Sequence, residues 1–189
     1  MLSVVIATHD SERVLLATLS ALVPGAVAGL VREVIIADAG SRDATAAIAD
    51  GGGCRVLEST QAHGPRLRTA AEAARAPWLL FLRPGVVLES SWIEETRRFM
   101  EEIERGRHNY AAVFRAELFR PRVLEAMALL GAALGTRPPP SQGLLINRAL
   151  YAAVGGHRDV EEPERDLLRR LGRRRLVLLR TSTSSNYLT

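Results

Sequence analysis

The chain has 189 residues, 47% hydrophobic and 24% charged, which suits one compact domain with a sizeable core and excludes a peptide scaffold or a disordered tail. Its single cysteine, Cys54, excludes an internal disulfide and a thiolate zinc cluster, and the cytoplasm is the default compartment. All 25 basic residues are arginines, so Schiff-base chemistry and a P-loop lysine are ruled out, and a net charge of +4 is too small to indicate nucleic acid by itself.

Leu2 to Ala7 is a short apolar run of the kind a strand buried on both faces shows, which implies a parallel sheet. Val14 to Val31 carries no charge over 18 residues, near the length that spans a bilayer, but Pro24-Gly25 interrupts it and Thr18 and Ser20 lie inside it. A buried helix from about Glu12 to Val23 plus a loop is expected there. A strand Glu33 to Ala37 follows, then a helix from about Arg42 to Asp50, capped by Ser41 and ended by Gly51-Gly52-Gly53. Arg55 to Glu58 reads as a third strand, an alanine-rich helix runs to Ala76, and Trp78 to Leu82 makes a fourth strand. That succession, βαβαβαβ over about residues 1–88, is the pattern of a nucleotide-binding half.

In the second half, about residues 89–189, Ser91 and Glu94 stand at the spacing of a capping box and open a helix to about Arg105. A strand near Tyr110 to Phe114 and a helix from Pro121 to Leu134 follow, until Arg137-Pro138-Pro139-Pro140 stops any helix. Gly143 to Asn147 reads as strand, Arg148 to Val154 as a short helix and Gly155-Gly156 as a turn. Pro163 to Leu171 reads as helix and Leu176 to Leu179 as the last strand. Neither an internal repeat nor a linker divides the chain, so a single domain over residues 1–189 is expected.

Four stretches resemble the family-two glycosyltransferases of the GT-A fold: "SVVIATHDSE" from Ser3, "VIIADAGSRDAT" from Val34, "ARAPWLLFLRPGVVL" from Ala74, and Gly143 to Leu171 with its arginine, Gly-Gly pair and acidic helix. The resemblance implies an α/β fold, a mixed and mostly parallel sheet flanked by helices. It also implies transfer of a sugar from a UDP- or GDP-linked donor to an acceptor hydroxyl, with inversion by direct displacement. By position, Thr8 and His9 would flank the base, Asp38 would hold the nucleoside and Asp43 would support the loop. Arg68, with Arg66 as its substitute, would meet base and phosphates. Gln142, Gly156 and His157 fall on the acceptor side, in the half that the family gives to the acceptor, and Glu164, then Glu162, fits the place of the catalytic base.

Physics supports part of this. Ligands of an open parallel sheet bind at the carboxyl ends of strands, where Thr8 and Asp38 stand, and a carboxylate there accepts from a ribose hydroxyl or a base N–H. The plain alternative is that Asp38, Ser41 and Asp43 only turn the chain and cap a helix. Glu161, Glu162 and Glu164 likewise complement a helix dipole whether or not one of them is a base, and a glutamate performs that proton transfer if reach and pKa suit it.

The sequence departs from the family at Arg83-Pro84-Gly85, where two aspartates usually bind magnesium or manganese. Arg, Pro and Gly build no such site, so no metal ligand is expected here. Two outcomes stay open: Arg83 opposes the diphosphate as a fixed cation, or the domain is a catalytically inactive module that binds a nucleotide or a partner. Hydrolase elbows, zinc motifs and dinucleotide fingerprints are missing, and His9, His63, His108 and His157 lack metal-ligand spacing. Arg169 to Arg175 reads as a solvated face. Ala126 to Leu134 reads as a core helix first, then as a homodimer face or a peripheral membrane contact.

Overall fold

A computed structural model describes residues 1–106, 109–116 and 143–185. The expected helix at 121–134, the triple proline, the apolar run 126–134 and Gln142 lie outside the described residues.

The strands and helices alternate through the first part: β1 (Leu2–Thr8), α1 (Glu12–Val27), β2 (Val31–Asp38), α2 (Thr45–Gly51), β3 (Arg55–Glu58), α3 (His63–Ala73) and β4 (Trp78–Leu82). Then come β5 (Val86–Leu88), α4 (Trp92–Gly106), β6 (Ala111–Ala116), β7 (Leu144–Asn147), α5 (Arg148–Ala153), α6 (Pro163–Leu171) and, after a 3-10 turn at Arg173–Arg175, β8 (Leu176–Ser185). One sheet takes all eight strands in the order β3-β2-β1-β4-β7-β6-β8-β5. The first four are mutually parallel, β7 runs antiparallel to both β4 and β6, β6 and β8 are parallel, and β5 closes the edge antiparallel to β8. The sheet is thus mixed and mostly parallel, as the sequence implies.

Both faces are covered because strand side chains alternate. On β4, Trp78, Leu80 and Leu82 point into a layer with Leu15, Leu19 and Leu22 of α1 and Trp92, Phe99 and Met100 of α4. Leu79 and Phe81 point the other way, onto Leu67 and Ala71 of α3, Tyr151 of α5 and Leu168 of α6. Such two-sided burial explains the uninterrupted apolar runs of β1 and β4.

Three local expectations are corrected. The first helix does not stop at Val23; it continues through Pro24-Gly25 to Val27. It ends when Leu30 N–H bonds Gly25 O and Gly29 N–H bonds Ala26 O, with Gly29 at φ 68, a Schellman cap that only a residue at ease in the left-handed region permits. Second, Ser41 caps no helix: α2 begins only at Thr45, and the Ser41 hydroxyl donates to Asp38 at 2.6 Å. Third, the Ser91 hydroxyl meets Thr181 Oγ1 at 3.1 Å, while Glu95 receives the backbone N–H groups of Arg180 and Thr181. The last strand is also longer than expected, since its polar end Thr181–Ser185 is paired with β5 and β6. Among the described residues, no helix is long and apolar enough to cross a membrane.

Candidate functional site

Strand order places a crevice where β2 and β3 lie to one side of β1 and β4 to the other, at the carboxyl ends of β1 and β4. The register puts Thr8 directly beside Asp38, and the Thr8 hydroxyl donates to the Asp38 carboxylate at 2.6 Å. The chain then bends sharply at Asp10, whose φ of 46 is one that Asp tolerates better than bulkier residues. Asp10 N–H donates to Ser41 Oγ and Asp10 Oδ1 accepts from Arg42 N–H. Asp43 accepts from the N–H groups of Glu12 and Thr45, and Glu12 in turn accepts from Ala44 N–H. The loops after β1 and β2 are therefore stitched into one rigid rim.

Asp38 is buried and takes four hydrogen bonds: from the Thr8 and Ser41 hydroxyls and from the backbone of Gly40 and Ser41. Burial pushes its pKa up, but those donors outweigh it and hold the carboxyl below its ordinary range. With these bonds Asp38 organises the loop at the end of β2.

Against the rim lies an open cleft of about 530 Å³ lined by Thr8, His9, Asp10, Asp43, His63, Arg66 and Pro84 among others. That volume falls in the range of small-molecule sites. Arg66 faces the cleft, whereas Arg68 is exposed outside it, so the preferred choice between the two is reversed. The reason is helical geometry: two residues along α3 turn a side chain by about 200°. The guanidinium Nη1 of Arg66 donates to Gln61 O, while its Nε is buried with no partner among the described residues.

A second, narrower pocket of about 40 Å³ lies beside the cleft, and Ala7 and His63 wall both. Its walls are apolar, with Leu67, Phe81, Leu82 and Leu168, and its charged residues are Arg83, His63 and Glu164. Glu164 Oε1 accepts from Arg83 Nη2 at 3.0 Å and lies 2.9 Å from His63 Nε2. On the other side of the imidazole, Arg66 Nη2 stands 3.5 Å from His63 Nδ1. A string of four side chains, Arg66, His63, Glu164 and Arg83, thus bridges the two spaces. Burial pushes Glu164 up, but the hydrogen bond and charge of His63 and the charge of Arg83 hold it down at about 2.

Glu162 is outside both spaces, where it pairs with Arg165 at 2.6 Å on the surface. His157 is fully buried in the wall of the narrow pocket, and burial pushes it down to about 4. The Tyr151 hydroxyl accepts from His157 N–H at 3.0 Å and stands 2.9 Å from Nδ1, leaving Nε2 with no partner among the described residues. A buried polar atom without a partner costs on the order of 1–3 kcal/mol. Gly156, at φ 57, leaves no room for a Cβ against the Tyr151 ring. His63, Asp10 and Tyr151 were missed in the sequence; His63 meets Glu164 across 101 positions, a separation that leaves no local signal.

A mostly parallel sheet with its cleft at the switch point is an architecture that takes ligands at its strand ends. Residues 3–126, more than half of the chain, match the model of glycosyl transferase family 2, and the chain belongs to that family. Its function is accordingly glycosyltransferase-like. Among solved structures, glucosyl-3-phosphoglycerate synthase from Mycobacterium tuberculosis in complex with Mn2+ and UDP-glucose is similar over 100% of this chain and 72% of that one, at TM-score 0.71 and 22% identity. S. aureus TarS 1-349 in complex with UDP is similar over 97% of this chain and 60% of that one, at TM-score 0.70 and 14% identity. At such identities the likeness speaks to the fold. No curated protein matches the chain by sequence.

Proposed function

We propose that the protein transfers a sugar from a nucleoside diphosphate sugar to an acceptor hydroxyl, with guanidinium groups meeting the charge of the diphosphate. The observation that carries this reading is the contact between Arg83, at the end of β4, and Glu164 beside the switch-point cleft. UDP or UDP-glucose in the complexes of the two solved relatives supports a uridine nucleotide as the first choice. Arg83 uses one Nη2–H on Glu164, and among the described residues nothing else engages its fork, which leaves it to meet phosphate oxygens. Glu164 takes the proton of the acceptor hydroxyl while that oxygen attacks the anomeric carbon. The bond from this carbon to the diphosphate oxygen breaks on the opposite face, inverting the centre, and Arg83 meets the charge that departs.

Manganese, present in the synthase complex, does not suit the residues found here. The loop after β4 offers Arg83, Pro84 and Gly85, and no group of three metal-binding side chains occurs among the described residues. A guanidinium repels a dication where a carboxylate would attract it.

Calorimetry with UDP, UDP-glucose and GDP-mannose, in EDTA or in manganese, tests the reading. Binding in EDTA that Arg83→Ala weakens about tenfold or more is expected. Binding that requires manganese overturns the assignment to Arg83. Tight binding without any donor turnover, unchanged by Glu164→Gln, favours the inactive nucleotide-binding module.

A further inference from the structure

Beyond His63, Arg83 and Glu164, the narrow pocket has one more polar group in its wall, and nothing in the mechanism above uses it. His157 is fully buried and lines the pocket, and its Nε2 has no hydrogen-bond partner among the described residues. The Tyr151 hydroxyl accepts from the His157 backbone N–H and stands 2.9 Å from Nδ1, and the arrangement that uses its donor as well directs its own hydrogen at Nδ1. With Nδ1 accepting, a neutral imidazole carries its proton on Nε2. Burial keeps the ring neutral, since it pushes His157 down to about 4.

The space beside this donor is small. A volume of about 40 Å³ has room for about three water-sized groups, too little for a hexose ring and enough for a short side arm. Leu67, Phe81, Val113, Leu144 and Leu168 make the walls apolar, so the arm that fits has carbon along its sides and an accepting oxygen at its end. Ala7 and His63 wall both spaces, and Arg83 lines the narrow pocket beside Pro84 of the cleft, so a diphosphate that reaches from the cleft to Arg83 would bring its sugar to the narrow pocket.

We infer that His157, fixed as an Nε2–H donor by Tyr151, selects the donor sugar by hydrogen-bonding the oxygen of a short arm, hydroxymethyl or acetamido, lodged in the narrow pocket. The inference rests on the nucleotide-sugar reading above and adds the determinant of sugar choice to it. His157 is a specificity residue and takes no part in the displacement.

The test compares UDP, UDP-xylose, which lacks the arm, UDP-glucose and UDP-N-acetylglucosamine by calorimetry. A ¹⁵N spectrum of the histidine rings, recorded on the full chain, is the second readout. The wild type is expected to bind at least UDP-N-acetylglucosamine about tenfold tighter than UDP-xylose, the scale of one added hydrogen bond. If the arm is the hydroxymethyl group, which both armed sugars carry, UDP-glucose gains as much; if it is the acetamido group, only UDP-N-acetylglucosamine gains. His157→Leu is expected to erase that difference while leaving UDP binding intact, and His157→Gln, which keeps a donor, to restore part of it. Tyr151→Phe retains the packed ring and is expected to release the tautomer, seen as a loss of the Nε2–H signature together with part of the discrimination. Should His157→Leu fail to fold, Tyr151→Phe and His157→Gln decide.

Equal affinity for all three sugars overturns the inference, as does discrimination that survives in His157→Leu. A wild-type ring whose proton sits on Nδ1, or whose Nε2–H is unmoved by every sugar because Phe81 already satisfies it, overturns it too. If no nucleotide compound binds, the transferase reading fails first. Millimolar xylose, glucose and N-acetylglucosamine then test the pocket separately: a selective shift of the His157 Nε2 signal by an armed sugar upholds it, and silence with all three overturns it.

Discussion

Glu164 and His157 both line one small pocket, and both are held away from their ordinary titration range, for different reasons. Glu164 is held down to about 2 because the hydrogen bond and charge of His63 and the charge of Arg83 overcome its burial; His157 is pushed down to about 4 by burial itself. Each therefore binds fewer protons folded than unfolded over a definite window, and each contributes stability that is present at neutrality and lost in acid. For His157 the loss runs from its ordinary 6.5 down to about 4 and amounts to about 3 kcal/mol. For Glu164 it runs from 4.5 down to about 2, on the order of 2 kcal/mol once solvent screening at the 42% exposed side chains of His63 and Arg83 is allowed for. Urea unfolding between neutrality and about pH 4 is expected to show a drop in the parent chain that His157→Gln largely lacks. Glu164→Gln is expected to keep that drop and to lose only the steeper fall at lower pH. Equal slopes in parent and both variants would mean that neither side chain is linked to folding in this way.

The meeting of these residues depends on how closely two elements approach, which turns on Gly64 in the first turn of α3. A Cβ there would overlap the carbonyl of Arg158 in the loop before α6, so only glycine lets α3 seat against that loop and bring His63 to Glu164. Gly64→Ala is expected to cost about 1–3 kcal/mol and to shrink the acid-range loss attributed to Glu164, whereas Gly51→Ala, where a Cβ meets nothing within 4 Å, is expected to be neutral or stabilising. A Gly64→Ala chain as stable as its parent, by urea midpoint, would show that the two elements part without cost. This dependence also explains what the sequence reveals and what it hides. The strands β1, β2 and β4 are legible because burial leaves apolar runs bounded by glycine and polar turns. The strand β5 is not, since its three residues are held by β8 about a hundred positions away. Thr8 and Asp38 are legible as strand ends, yet that Asp38 is held by Thr8, Gly40 and Ser41 depends on the register of β1 against β2. Arg83 and Glu164 are legible singly. Their contact, and the part of His63 in it, arises only when α3, β4 and α6 converge on one pocket.

At the scale of the molecule, the two apolar layers share one sheet, and alternate residues of β4 belong to each: Trp78, Leu80 and Leu82 to one, Leu79 and Phe81 to the other. Because β4 also joins the parallel strands to the antiparallel β7, neither layer loses its packing without exposing the back of the other. Unfolding is therefore expected to be a single cooperative transition. The two tryptophans make this measurable. Trp78 and Trp92 both lie in the layer of α1 and α4, so fluorescence reports that layer alone, while far-ultraviolet dichroism reports helices on both faces. Coincident urea transitions by the two probes are expected, and Leu80→Ala, a truncation in the layer the tryptophans report, is expected to move both together by about 2–5 kcal/mol. Fluorescence that changes well before dichroism would instead mean that the α1 and α4 layer opens first. The cleft at the ends of β1 and β4 would then rest on a scaffold that opens independently on one side.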